Sequence, residues 1–507
     1  MRSASDVLDA INALELAFPV QRWRATDIDL WPVYRTRLFM NVTMATLSQE
    51  PSAHLARHLR RIATRITRAL WRVPLAAYED RSMNTATEGG TVAVFLSDGI
   101  SFTRLSGTWY DRIVDPIVAA LHSREQRTLK LTPLADVHIP RATASRFVQP
   151  SIDRIKILAS LHRIDAELPE FEAFLARARA VFGEQAPSRR WLVLQAKRLD
   201  ALADWFERIL SKSGATRSFV NNYYSLEGMA FVVASRRAGL ISADLQHGLQ
   251  GHHHCAYGRW VAVPSNGYST LPDEFWVWTN SEAEAINAWR GSRSSHAPVV
   301  TGNLWRKRWL DDADPLVSAC LDEARRLRAA APSRTQVLVS LSWGLANEET
   351  DKILRAASLA GPEVAWWWRL HPVEAHRSAE FEAALSRHGL NADCVREVTD
   401  LPLYALIRAA DLAVAHSSTV IQEAATFGVP SIVTSDYGAE IHASLVACGM
   451  VVKATSDFEI AREVQQIVPR VRVANPTLTR GEIELDTLLD RCLPRRALAG
   501  PHLSDSR

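Results

Sequence analysis

Four short apolar runs, each cut off by polar residues and followed by a helix-like stretch, occupy positions 336–436 and leave little choice of fold. QVLVSLS (336–342) precedes a helix from about Asn347, and EVAWWWRL (363–370) stops at His371-Pro372. DLAVAH (411–416) precedes a helix over about 418–427, and PSIVTS (430–435) precedes another from about Gly438. Unbroken runs of this length are buried on both faces, as parallel strands covered by helices are. Residues 89–300 repeat the rhythm, with strands in TVAVFLS (91–97), SFVNNYYS (218–225), ISADLQHG (241–248), DEFWVWT (273–279) and APVVTGN (297–303). Helices are predicted between them at about 109–121, 168–182 and 190–212. The expected class is therefore α/β, with two Rossmann-like doubly wound lobes at 89–303 and 304–470. The segment 301–315 is the predicted crossing.

Outside the lobes the texture changes. Residues 1–88 read as helical and end in a polar linker at 80–90; residues 471–507 form a C-terminal tail, predicted to be disordered from Pro494 onwards. Leu55, Leu59, Ile62, Ile66, Leu70 and Val73 recur at spacings of three and four, with Arg57, Arg60, Arg61, Arg65, Arg68 and Arg72 over much of the rest. This amphipathic helix at 54–73 fits an anionic membrane surface and fits core packing with a solvated basic face equally well.

Composition narrows the partners. At 507 residues the chain has room for about two to three domains. The 59 basic and 56 acidic residues give a net charge of only +3, and no basic RNA motif is present, so nucleic acid is not an expected partner. Five cysteines with no CxxC pair suit a reducing compartment. The N-terminus is a poor signal peptide, and no run of about 18 apolar residues could span a bilayer. A cytoplasmic protein is expected, with peripheral contact to the inner membrane through helix 54–73 left open.

In open parallel sheets ligands bind beyond the carboxyl ends of the strands, so the polar residues there are the candidates. In the second lobe they are Ser342, Arg369 with His371 and Pro372, and Ser417, Ser418 and Thr419. In HSSTVIQEAATFGVPSIVT (416–434) three hydroxyls precede a helix, where they and free N–H groups could bind phosphate. Glu423, about one turn further, could accept both hydroxyls of a ribose. In the first lobe the strand ends carry Asp98, Gln246, His247 and Gly248. His252-His253-His254-Cys255 invites a metal reading, but consecutive residues rarely face one ion, so no metal is expected and His252 is taken as an acceptor-side candidate.

Segment 416–434 resembles the nucleotide-binding segment of GT-B glycosyltransferases, in which a helix after a late strand carries a glutamate and ends in a Gly-x-Pro turn. RLHP (369–372) resembles the His-Pro motif of bacterial sialyltransferases and the similar motif of teichoic-acid glycerophosphotransferases. The resemblance implies a GT-B-like pair of lobes. It places His371 and Pro372 at the donor phosphates, with Ser417, Ser418 and Thr419 cradling them and Arg369 as a further anchor. LQHG (245–248) resembles the histidine-glycine turn of surface-polysaccharide enzymes and the WHG turn of the glycerophosphotransferases, and the second likeness implies His247 as general base. SDG (97–99) is placed like the acidic motif of sialyltransferases, with serine replacing the first acid, so Asp98 is a competing base. Gln246 and Gly248 fall on the acceptor side.

These features together predict a metal-independent glycosyltransferase without a cofactor. It would move a sugar from a nucleotide-activated donor, CMP-sugars included, to a polysaccharide or lipid-linked acceptor in capsule or surface-polysaccharide synthesis. A polyol-phosphate (CDP-glycerol-type) transferase would use the same two histidines. A non-catalytic nucleotide-sugar-binding subunit also fits, because of Ser97. A 2-epimerase fits less well, because the acidic cluster of that family is missing around the serine segment.

Overall fold

The computed structural model describes residues 4–47, 90–99, 101–133, 139–332, 334–342, 347–466 and 484–492. The expected amphipathic helix at 54–73, the linker at 80–89 and the tail from Pro494 lie outside them.

Walking the chain, the strands are β1 (Arg24–Ala25), β2 (Ile28–Asp29), β3 (Thr91–Leu96), β4 (Phe102–Leu105), β5 (Thr108–Asp111), β6 (Arg127–Thr132), β7 (Arg146–Phe147) and β8 (Ala166–Glu167). They continue as β9 (Arg217–Val220), β10 (Ile241–Leu245), β11 (Glu274–Val277) and β12 (Ala297–Val300). The last five are β13 (Thr335–Ser340), β14 (Val364–Arg369), β15 (Leu412–Ala415), β16 (Ser431–Val433) and β17 (Val451–Lys453).

The first sheet runs β12-β11-β10-β9-β3-β6-β7, and every pairing in it is parallel. In chain order this extends the Rossmann arrangement, and its direction of winding reverses between β3 and β9. The second sheet, β14-β13-β15-β16-β17, is also all parallel, with the flavodoxin-like order whose reversal lies between β13 and β15. The expected α/β architecture of two doubly wound lobes is therefore present.

Each sheet is buried by helices on both faces. Val94 and Leu96 share a core with Leu199 and Phe206 of the helix Arg189–Ser213, whereas Phe95 packs on the other face with Ile117 and Val118. In the second lobe the alternation of β14 sends Trp368 into one core and Trp367 into the other. Fully burying side chains of this size contributes roughly 1.5–3 kcal/mol each.

Three features depart from the sequence reading. The predicted helix over 109–121 is half hairpin: β4 and β5 pair antiparallel, and the helix covers only Asp115–His122. Within the helical N-terminal region, β1 and β2 join β8 in a small antiparallel sheet. The helices Ala4–Ala17 and Trp31–Leu47 share one core with the first lobe, and Arg35 is the bolt. Completely buried, its guanidinium donates to Glu15 (2.5 Å) and Asn12 (2.8 Å) and to the carbonyls of Cys255, Gly258 and Arg259 (3.1 Å each). Finally, part of the predicted tail is the helix Leu485–Cys492, whose Leu488 and Leu489 are buried against the first lobe.

Candidate functional site

At the reversal point of the first sheet, the loop after β3 is held by Asn221, which follows β9. The Asp98 amide donates to Asn221 Oδ1 at 2.7 Å, and Asn221 Nδ2 returns a bond to Asp98 Oδ1 at 3.1 Å. Gly99, at φ +75°, makes the left-handed turn that lets the Ser101 amide reach the same carboxylate oxygen at 3.3 Å. Ser97, which directly follows β3, is fully buried and donates to Asp111 Oδ2 at 2.5 Å.

The turn after β10 carries His247. Its Nε2 lies 3.3 Å from the Tyr224 hydroxyl, and Tyr224 in turn packs on His254 with ring centres 5.0 Å apart. Beneath them Asp244 is buried, accepting from the Tyr257 hydroxyl at 2.8 Å and the Tyr223 amide at 3.0 Å. Burial dominates the titration of this group of side chains. It pushes Asp244 up to about 8, and it pushes His254 down to about 3 with help from the neighbouring His247. Burial also lowers His247, against the opposing pull of the Asp98 charge.

Facing this turn are the loops of the second lobe. Arg369 ends β14 with its Nη1 donating to the carbonyls of Val398 (2.8 Å) and Leu401 (2.5 Å). Burial, with a smaller contribution from the charge of Arg112, lowers it to about 10. His371 follows; burial lowers its affinity for a proton, Glu374 opposes this, and Arg112 and Arg369 add to it. After β15, Ser418 Oγ accepts from the Val420 amide at 3.3 Å, opening a helix that spans only Val420–Thr426. Glu423 in that helix is buried, accepts from the Tyr404 hydroxyl at 2.8 Å, and has its proton affinity raised by burial.

Asp98 and His247 from one lobe and Arg369, His371, Ser418, Thr419 and Glu423 from the other line a single cavity of about 370 Å³ between the lobes. The remaining sequence candidates stand elsewhere. Ser342 faces a separate cavity of about 180 Å³ beside Glu374 and Arg377. Ser417 is not among the lining residues. Pro372 begins the 3-10 turn Pro372–Arg377. Gln246 is buried and serves the turn itself, donating to the Gly248 carbonyl (3.0 Å) and accepting from the Trp278 amide (2.6 Å). Gly248 sits against the other lobe, where a side chain would come within 3.5 Å of Thr419 Oγ1. His252 is exposed, and it is His254 that turns inward. His253 faces Glu440 at 3.3 Å. With the three rings so dispersed they share no ion, and among the described residues no group of three or more His, Cys, Asp or Glu is placed to hold a metal.

The sequence reading missed Arg112. It follows β5, lines the cavity, and points its guanidinium at Glu423, 3.6 Å away on the opposite lobe. Tyr404, also missed, links Glu423 to Asn303, whose Nδ2 donates to the Tyr404 hydroxyl at 2.8 Å. Among the described residues no helix is long and apolar enough to cross a membrane.

No family model and no curated protein sequence matches the chain. Solved structures do resemble it in layout. The UDP-GlcNAc 2-epimerase from Methanocaldococcus jannaschii aligns with a TM-score of 0.46 and 13% identity over 79% of this chain and 99% of its own. The UDP-GlcNAc 2-epimerase from Neisseria meningitidis bound to UDP-GlcNAc gives 0.47 and 11% over 79% and 99%. The wall teichoic acid polymerase TagF gives 0.43 and 10% over 85% and 96%.

Proposed function

We propose that the protein is a glycosyltransferase that moves a sugar from a nucleotide-activated donor to a polysaccharide or lipid-linked acceptor in cell-surface polysaccharide synthesis. The observation that carries this reading is the shared cavity: an imidazole and a carboxylate from one lobe face a guanidinium, a second imidazole and a serine hydroxyl from the other. Such a site separates the two halves of a transfer. His247, kept neutral by burial, takes the proton of an acceptor hydroxyl, and the nearby Asp98 charge stabilises the imidazolium that forms. The acceptor oxygen then bonds to the anomeric carbon as the carbon–phosphate oxygen bond breaks. Hydrogen bonds from Arg369, His371 and Ser418 carry the negative charge arriving on the nucleotide phosphate. Exclusion of water between the lobes strengthens those bonds and protects the donor from hydrolysis.

The same geometry serves a polyol-phosphate transferase, in which the acceptor oxygen attacks phosphorus, and product analysis separates the two: a glycoside against a phosphodiester. In either case donor turnover should collapse in the double variant His371→Ala, Ser418→Ala. Undiminished turnover would refute the site. If His247→Ala abolishes transfer while donor binding persists, a purely binding role for the chain is also ruled out.

A further inference from the structure

We infer that Arg112 is a phosphate ligand of the cleft, contributed by the acceptor lobe, so that the bound anion bridges the two lobes. This rests on the reading of the cleft as a nucleotide-donor site and adds a residue that no motif in the sequence marks.

The first support is the state of its guanidinium. Glu423 is the only charged partner of Arg112 among the described residues, at 3.6 Å, well beyond the 2.7–2.9 Å of a charge-assisted hydrogen bond. The Glu423 oxygen that faces it already accepts from Tyr404 at 2.8 Å. The planar fork of Arg112 is therefore held at the cavity wall by charge, with its donors not consumed. Arg369, on the other lobe, has one nitrogen committed to two backbone carbonyls.

The second support is what holds Arg112 there. Asp111 Oδ1 accepts the amides of Ile113 and Val114 at 3.1 Å each, and its own amide donates to Asp115 Oδ2 at 2.8 Å. Asp115 is bound by the Lys130 ammonium (2.5 Å) and the Thr143 hydroxyl (2.5 Å), and Ser97 closes the set on Asp111. All five side chains are buried. Buried charges of this kind cost desolvation that apolar residues would not, and they are retained most readily where they fix a geometry. What they fix is the turn Asp111–Asp115, and Arg112 is the residue of that turn pointing into the cleft. The third support is reach: the positive field of Arg112 bears on His247, Arg369, His371, Glu423 and Tyr404, which surround the proposed phosphate position.

The test is calorimetric titration of the full-length protein with CMP, CDP, UMP, UDP and GDP, with cytidine, uridine and guanosine as uncharged controls and geranyl diphosphate as a probe of the acceptor side. Arg112→Ala should weaken the nucleotide bound by the wild type roughly 10- to 100-fold, with little effect on its nucleoside. Arg112→Lys should recover part of the loss, since it restores charge without the fork. Arg112→Ala binding the nucleotide as tightly as wild type, or losing affinity for geranyl diphosphate alone, overturns the inference. If Arg112→Ala melts early, Arg112→Lys decides: nucleotide affinity equal to wild type with the nucleotide's salt dependence unchanged would overturn it. A wild type that binds none of the nucleotides defeats the donor-site reading as well, whereas loss in Ser418→Ala with retention in Arg112→Ala defeats only this inference.

Discussion

The amide of Leu249 donates to Thr419 Oγ1 at 3.0 Å, joining the turn that carries His247 to the loop that carries Ser418 across the cleft. A second bridge, from Gln422 Nε2 to Glu282 Oε1 at 3.0 Å, lies nearby. The turn carrying His247 and the loop carrying Ser418 are thereby tied together by a backbone amide on a hydroxyl and by a pair of side chains beside it. Thr419→Val keeps the volume but removes the acceptor, leaving the Leu249 amide without its partner. The expected cost is about 1–3 kcal/mol, read as a lower calorimetric unfolding temperature. An unchanged melting temperature would mean that the bridge does not hold the lobes.

The base assignment has a pH signature. Burial holds His247 below its ordinary value, so the neutral form persists to lower pH than for a free histidine. Transfer should fall only as pH drops through that lowered value, and His247→Ala should cost roughly 10²–10⁴ in rate. Measured rate profiles check both. An acid limb unchanged in His247→Ala would transfer the role to Asp98.

Asp244 makes a prediction about stability. Its pKa is raised from 3.8 to about 8, so the folded protein holds a proton that the unfolded chain has released. This stabilisation is complete below pH 4 and is lost as pH rises towards about 8. The stability difference between wild type and Asp244→Asn should therefore move against the wild type over that window and then level off. Urea midpoints at pH 5, 7 and 8.5 measure it, and a difference constant with pH would contradict the assignment.

A fourth prediction concerns Arg35 and Glu15, both with fully buried side chains. Glu15 Oε1 also accepts the Ala262 amide at 3.0 Å, so the pair ties the N-terminal helices to the loop beyond His247. Glu15→Gln leaves a buried guanidinium without its counter-charge and should cost about 3–5 kcal/mol. A calorimetric loss well under 1 kcal/mol would show that the N-terminal helices are dispensable to the first lobe.

The ends of β3, β14 and β15 were legible because those strands are almost wholly apolar, so the polar residues after them mark where each one stops; β10 carries Ser242 and Asp244 inside it, and its end was marked by the His247-Gly248 pair. Asp98, His247, His371 and Ser418 were found in this way. Arg112 was hidden because SFTRLSGTWYDR mixes polar and aromatic residues at no clean period. Its signal was the Ser106-Gly107 pair, both residues at positive φ (45° and 83°), a hairpin turn between strands of alternating character. Gln246 and His252 were misplaced for another reason: the polarity of a residue near a strand end does not reveal whether it faces the cleft or braces its own turn. The N-terminal helices read as a separate region because a buried arginine is indistinguishable from a surface one in sequence.

In the proposed function His371 and Ser418 hold the phosphate of a nucleotide-activated donor. That role is tested most directly by thermal-shift titration with CMP-, UDP-, GDP- and CDP-linked sugars, comparing wild type with the double variant His371→Ala, Ser418→Ala. A ligand present at 100 times its Kd stabilises by about 2.7 kcal/mol. At least one donor should therefore raise the melting temperature of the wild type and leave the variant unmoved. Equal stabilisation of both proteins by the same donor would contradict the account.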